Sequence, residues 1–115
     1  MVVDSTLSQA EVDRIFRALA DATRRDILRR TLTEGVSVST LARGYDMSFA
    51  AVQKHVALLE EAGLVAKRPQ GRERIVLGNP EAIRKAQELL DSYEELWRNR
   101  VSRLGDLLAE DPPQG

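Results

Sequence analysis

In residues 48–65, "SFAAVQKHVALLEEAGLV", the side chains Ser48, Phe49, Ala50, Gln53, Lys54 and His55 crowd the first half, and Glu60 and Glu61 the second. At helical spacing Val52, Val56 and Leu59 form one apolar stripe, with Ala51, His55, Leu58 and Ala62 in the stripe beside it. Phe49, Ala50, Gln53, Lys54 and Ala57 are left facing outward. An outward set of this kind can read a DNA groove. Glutamine pairs with adenine in bidentate fashion, lysine meets guanine or phosphate, Phe49 and Ala50 can touch thymine methyls, and the Ser48 hydroxyl can donate to a phosphate. The N-terminal end of such a helix also attracts phosphate through its free N–H groups and dipole, and the acidic end then stays outside. Phe49 has a second reading, packing on Tyr45 and Met47. His55 borders the buried stripe, so a half-buried histidine bonded to a neighbour fits it better than a metal ligand.

These side chains need elements to hold them. Ser8 and Glu11 have the spacing of a capping box for a first helix whose apolar positions are Val12, Ile15, Phe16 and Leu19. Asp21 can cap a second helix, with Ile27, Leu28 and Leu32 inward, Gly35 at its end, and Arg24, Arg25, Arg29 and Arg30 on the exposed side. After a short linker, "VSV", Ser37 or Ser39 can start a brief third helix with Leu41 and Ala42 inward. "GYDM" interrupts it before Ser48 caps the fourth, which makes a helix-turn-helix. Gly63 reads as the stop of the fourth helix, with Leu64 folding back on its last turn.

"LVAKRP" and "RIVL", separated by "QGRE", fit a hairpin with Gly71 at its tip and Pro69 where the first strand should end. That hairpin carries Lys67, Arg68, Arg72 and Arg74 against the single acid Glu73. Asn79 followed by Pro80 starts a last helix reaching to about residue 110. Along it Ile83, Ala86, Leu90, Tyr93, Trp97, Val101, Leu104 and Leu108 advance by threes and fours. At 1.5 Å per residue this helix runs about 45 Å, more than a domain of this size covers, so a second copy of the chain is expected on it.

The expected fold is therefore mainly α with a small β-hairpin wing: four helices, two strands and a fifth helix, a winged helix-turn-helix. Residues 1–7 are expected to be a flexible N-terminus, 8–110 one domain ending in a dimerisation helix at about 80–110, and 111–115 a disordered tail.

Composition narrows the function. There is no cysteine and one histidine among 115 residues. Disulfides, thiolate metal sites and cysteine nucleophiles are thereby excluded. No glycine-rich phosphate loop, nucleophile elbow or histidine–carboxylate pair is present, so no catalytic residue is assigned. The net charge of −1 conceals an asymmetry, +2 over residues 1–78 and −3 over 79–115. No export signal or membrane span is read, and a cytoplasmic location is the default.

The stretch "FRALADATRRDILRRTLTEGVSVSTLARGYDMSFAAVQKHVALLEEAGLVAKRPQGRERIVL" resembles the ArsR/SmtB family of winged helix-turn-helix repressors. The likeness rests on "LADATRRDIL", on the serine-led "AVQKHVALLEEAGLV" and on the wing "GRER", and covers most of residues 15–80. It implies a homodimer built on the first and last helices, with Val12, Ile15, Phe16, Leu90, Tyr93, Trp97, Val101, Leu104 and Leu108 in the interface. It implies binding of double-stranded operator DNA that blocks transcription, through Ser48, Phe49, Ala50, Gln53, Lys54, His55, Arg72 and Arg74. Metal-sensing members use cysteines in the third helix or histidines and acids on the last, and neither set can be assembled here. No metal and no cofactor are expected. The C-terminal "YEELWRNRVSRLGDLL" resembles a metal-independent branch, often autoregulatory and encoded beside START-like proteins. The expected function is a dimeric, sequence-specific autorepressor on a palindromic operator. The alternatives are a winged helix used for protein–protein contact and a repressor answering an unknown small molecule.

Overall fold

The computed structural model describes residues 7–109. The expected tail and all but the last residue of the expected flexible N-terminus lie outside that range, and Leu7 itself is partly buried against the core.

Helix α1 (Gln9–Leu19) begins at the capping box: Ser8 Oγ accepts from the Glu11 amide at 3.1 Å and Glu11 Oε1 accepts from the Ser8 amide at 2.8 Å. That amide, first among the causes, holds the Glu11 carboxyl below the usual range. Asp21 caps α2 (Ala22–Thr33) by accepting the Arg24 amide at 3.0 Å. The inward face of α2 is Ile27, Leu28 and Thr31. Thr31 returns its hydroxyl to the carbonyls of Ile27 and Leu28, so no polar group is stranded there. Leu32, expected inside, is 41% exposed because its place is at the rim, against Gly78.

The "VSV" linker is more than a linker. Val36 and Ser37 form β1, paired antiparallel with Val76 and Ile75, so the expected two-stranded hairpin is a three-stranded sheet of order β1-β3-β2. Gly35 does not end α2 by a left-handed turn, since α2 closes on Glu34 in extended backbone. A glycine stands at 35 because a Cβ would lie 2.7 Å from Ile75 Cγ2. Ser37, the second residue of β1, also caps α3 (Val38–Arg43), accepting from the Thr40 amide at 3.0 Å.

Helix α4 (Phe49–Glu61) starts at Ser48 and ends in a Schellman turn. The Gly63 amide bonds the Glu60 carbonyl at 2.9 Å, the Leu64 amide bonds that of Leu59 at 3.0 Å, and Gly63 has φ +76°. Strands β2 (Val65–Gln70) and β3 (Glu73–Gly78) follow, joined by Gly71 and Arg72. Gly71 has φ +65° and no other residue near it is positive, the pattern of a II′ hairpin turn. Strand β2 runs through Pro69 to Gln70, past the expected end. Gln70 opposite Glu73 closes the turn, so Pro69 opposite Arg74 falls in a non-hydrogen-bonded pair and its missing N–H costs the ladder nothing.

Asn79 caps α5 (Pro80–Ala109), accepting the Glu81 amide at 3.1 Å, and donates to the Gly63 carbonyl at 3.0 Å. The start of α5 is thus tied to the end of α4. One core joins these elements: Ile15 and Ala18 from α1, Ile27 and Leu28 from α2, Leu41 from α3, Val52, Val56 and Leu59 from α4, Val65 and Val76 from the sheet, and Ala86 from α5. Beyond Ala86 the helix leaves the core, and Leu90, Tyr93, Leu96, Trp97, Val101, Leu104, Leu107 and Leu108 are exposed. Among the described residues no helix is long and apolar enough to cross a membrane.

Candidate nucleic-acid interface

The outward side of α4 follows from its inward side. With Val52, Val56 and Leu59 fully enclosed, Ala50, Gln53 and Lys54 project into solvent, and Phe49 is 47% exposed. Ser48 Oγ already accepts from the Ala51 amide at 3.1 Å, which fixes the oxygen and leaves its hydroxyl proton to donate elsewhere. A cleft runs between this face and the hairpin. Its lining includes Phe49 and Gln53 of α4, Val38 and Ser39 of α3, and Lys67, Arg72 and Arg74 of the wing. Five expected contact residues thus gather at one place: Phe49, Gln53, Arg72 and Arg74 in the cleft, with Ser48 at the helix start beside it. Ala50 and Lys54 sit on the exposed flank of α4.

Phe49 belongs to this cleft, whereas Tyr45 and Met47 pack on the core. Tyr45 is the brace of the turn. Its hydroxyl donates to Asp26 Oδ2 at 2.5 Å, and the Arg30 guanidinium lies 5.5 Å from its ring centre. The Tyr45 hydroxyl and the Arg29 guanidinium, in that order, hold the Asp26 carboxyl below the usual carboxylate range. Burial, and then Asp26, raise the Tyr45 phenol.

With Arg30 over the Tyr45 ring, all four α2 arginines are engaged within the fold. Arg24 donates from Nε to the Ala18 carbonyl at 2.8 Å and from Nη2 to that of Arg17 at 3.1 Å. Arg25 donates to the Leu19 carbonyl at 2.6 Å. Both side chains cover the open carbonyl end of α1, where cations are favoured. Arg29 pairs with Asp26 at 2.6 Å. In the wing Lys67 is half-buried and pairs with Glu60 at 3.4 Å, so the acidic end of α4 anchors the hairpin.

His55 is half-buried, with Nδ1 3.1 Å from Arg24 Nη1. Among the described residues no three His, Cys, Asp or Glu side chains come together as metal ligands. The donors that metal-sensing relatives use do not fit this chain, which lacks cysteine and keeps its one histidine against an arginine.

Ile15, expected in a dimer interface, is only 2% exposed. It fills the protomer's own core and has no surface left for a partner. Val12 and Tyr93 line a groove between α1 and α5 with Leu7 and Leu89, and Phe16 is 37% exposed. Ser39 and Val38 are cleft residues that sequence reasoning missed. A serine one position inside a helix start carries the right hydroxyl, but only the fold turns it toward the wing.

A helix-turn-helix whose second helix and basic hairpin share one open face can lay that helix in the major groove of B-DNA, about 12 Å wide, and the hairpin on the flanking backbone. The comparisons agree with this reading. The profile of a helix-turn-helix domain matches residues 19–68. The HTH-type transcriptional regulator Rv2034 of Mycobacterium tuberculosis is 37% identical over 96 residues, 84% of this chain and 87% of that protein. An ArsR-like transcriptional regulator from Rhodococcus sp. RHA1 is 30% identical and superposes with a TM-score of 0.77 over 90% of this chain and 96% of the other. A homodimeric winged helix-turn-helix DNA-binding domain of Mycobacterium bovis, described as a possible ArsR-family regulator, is 25% identical with a TM-score of 0.59, over 76% and 82% of the two chains. The chain belongs to the ArsR family of winged helix-turn-helix, DNA-binding transcriptional regulators.

Proposed function

We propose that the protein is a homodimeric repressor that binds a palindromic operator in or near its own promoter, without metal or cofactor and without catalysis, in the cytoplasm. The observation that carries this reading is the shared cleft, in which Gln53 of α4 faces Arg72 and Arg74 of the wing. Gln53 and Lys54 read bases from the major groove, Ser48 donates to a phosphate at the helix start, and the two arginines bind the backbone or minor groove beyond. The bare apolar face of α5 supports the dimer, because a twofold partner presents the same face in return. The homodimeric Mycobacterium bovis relative supports it further. Two reading helices related by a twofold axis match a palindrome.

Mobility shift on the DNA upstream of the protein's own coding region tests this. A specific retarded band at moderate salt is expected. Its absence, with folded protein, overturns the autorepressor reading. Exposed Phe49 favours protein docking as the second reading. The slope of affinity against salt separates the two, being steep for phosphate contacts and shallow for a mostly apolar contact.

A further inference from the structure

Arg24 has three partners on two other elements. Two arms of the guanidinium close the carbonyl end of α1, at Ala18 and Arg17, and the third reaches His55 Nδ1 on α4 at 3.1 Å. His55 adjoins Lys54 and follows Gln53 by two residues. Arginine has only donors, so Nδ1 must be the unprotonated nitrogen and Nε2 must carry the proton. An imidazolium donates from both nitrogens. It cannot accept from Arg24, and it sets two cations against each other.

We propose that Arg24 and His55 form a proton-sensitive clamp that holds α4 at its angle to α1, so that protonating His55 weakens DNA binding. The proposal rests on DNA binding through α4. Arg24 and His55 are positioning residues within it. Asp21, the cap of α2, is the nearby acid. The Arg24 amide chiefly holds its carboxyl below the usual range, and Arg24 and His55 add to this by charge. The Asp21 carboxylate is the nearby counter-charge, yet it cannot return the lone pair to Nδ1. On α4 itself Lys54 is the neighbouring cation. From α1, Arg17 joins the clamp through its carbonyl, and Arg43 of α3 and Lys67 of β2 are each engaged elsewhere, with Thr40 and Glu60.

The sign of the pH effect separates this role from direct contact. A His55 that touched phosphate would tighten binding on protonation, because a new cation releases another counterion. The clamp requires the reverse. The chain has one histidine, so no second imidazole contributes to a pH difference in binding.

The test measures affinity for the upstream DNA at about pH 7.5 and about pH 5.5, at constant ionic strength, taking the ratio within each protein. The unaltered protein is expected to bind about tenfold more weakly at the lower pH, the scale of one charge-assisted hydrogen bond. In His55→Asn the amide oxygen can stand where Nδ1 stood and accept at both pH values. In Arg24→Gln no cation opposes the imidazole. Both ratios should fall to within about twofold of unity. Tighter binding at low pH in the unaltered protein, or the same ratio in all three, overturns the clamp. Imidazole nitrogen shifts read without DNA keep the two proposals apart. An Nε2–H imidazole that becomes a tautomer mixture in Arg24→Gln supports the clamp, and an Nδ1–H imidazole overturns it whether or not DNA is bound.

Discussion

Gln53 and Arg72 share a cleft but have different tasks. Gln53, on the outward face of α4, can pair with a base edge, and Arg72, in the turn of the wing, is placed to add charge to the flanking backbone common to all sequences. Gln53→Ala should therefore narrow the gap between operator and unrelated DNA, by about 1–3 kcal/mol at one position of the site. Arg72→Ala should weaken both alike and lower the log–log salt slope by about one. Titrations of operator and scrambled duplex at several salt concentrations read both effects. Tyr45 acts on the same face from behind. Removing its hydroxyl in Tyr45→Phe should cost about 0.5–1.5 kcal/mol in urea unfolding at neutral pH. The Asp26 carboxyl has its folded pKa lowered, so its contribution is present above the ordinary aspartate value of about 3.9 and lost as pH falls through the folded value. The difference between variant and parent should accordingly shrink as the pH is taken below about 4.

At the scale of elements, two glycines are required for different reasons. Gly63 has φ +76° with open space around it, whereas Gly35 has ordinary backbone and Ile75 and Leu77 pressed against it. Gly63→Ala should cost about 1 kcal/mol and Gly63→Asn less, because asparagine tolerates the left-handed region. At 35 neither alanine nor asparagine fits, and urea midpoints of the four variants distinguish strain from crowding. The caps at Ser8, Asp21, Ser48, Gly63 and Asn79 were legible because each is a local pairing of residue type and position. Strand β1 was not, since two residues carry no period and Ser37 serves both strand and helix. Ile15 and Leu32 show the same limit from the other side. Helical spacing marks a face without saying how far the neighbour extends over it. Arg24 read as a surface cation because its three partners lie six, seven and thirty-one residues away. In the cleft, the contributions of α4 and the turn could be read from sequence, and that of Ser39 could not.

For the whole molecule the governing feature is α5, thirty residues long and anchored to the core no further than Ala86. Trp97, 61% exposed, sits midway along its bare face. Trp97→Glu would bury a charge against a second copy, at a cost of several kcal/mol, and should give monomers in sedimentation and much weaker operator binding. An unchanged dimer would contradict the assignment of that face. The apparent melting temperature should also rise with protein concentration for the parent and not for the variant. The β2 edge of the sheet behaves otherwise. Alternation along β2 points Val65, Lys67 and Pro69 away from β3, so the row of groups a further strand would have to meet contains a charge and, at its third place, no donor at all. A strand edge built in this way is a poor template for a strand of another copy, so edge-to-edge pairing is disfavoured.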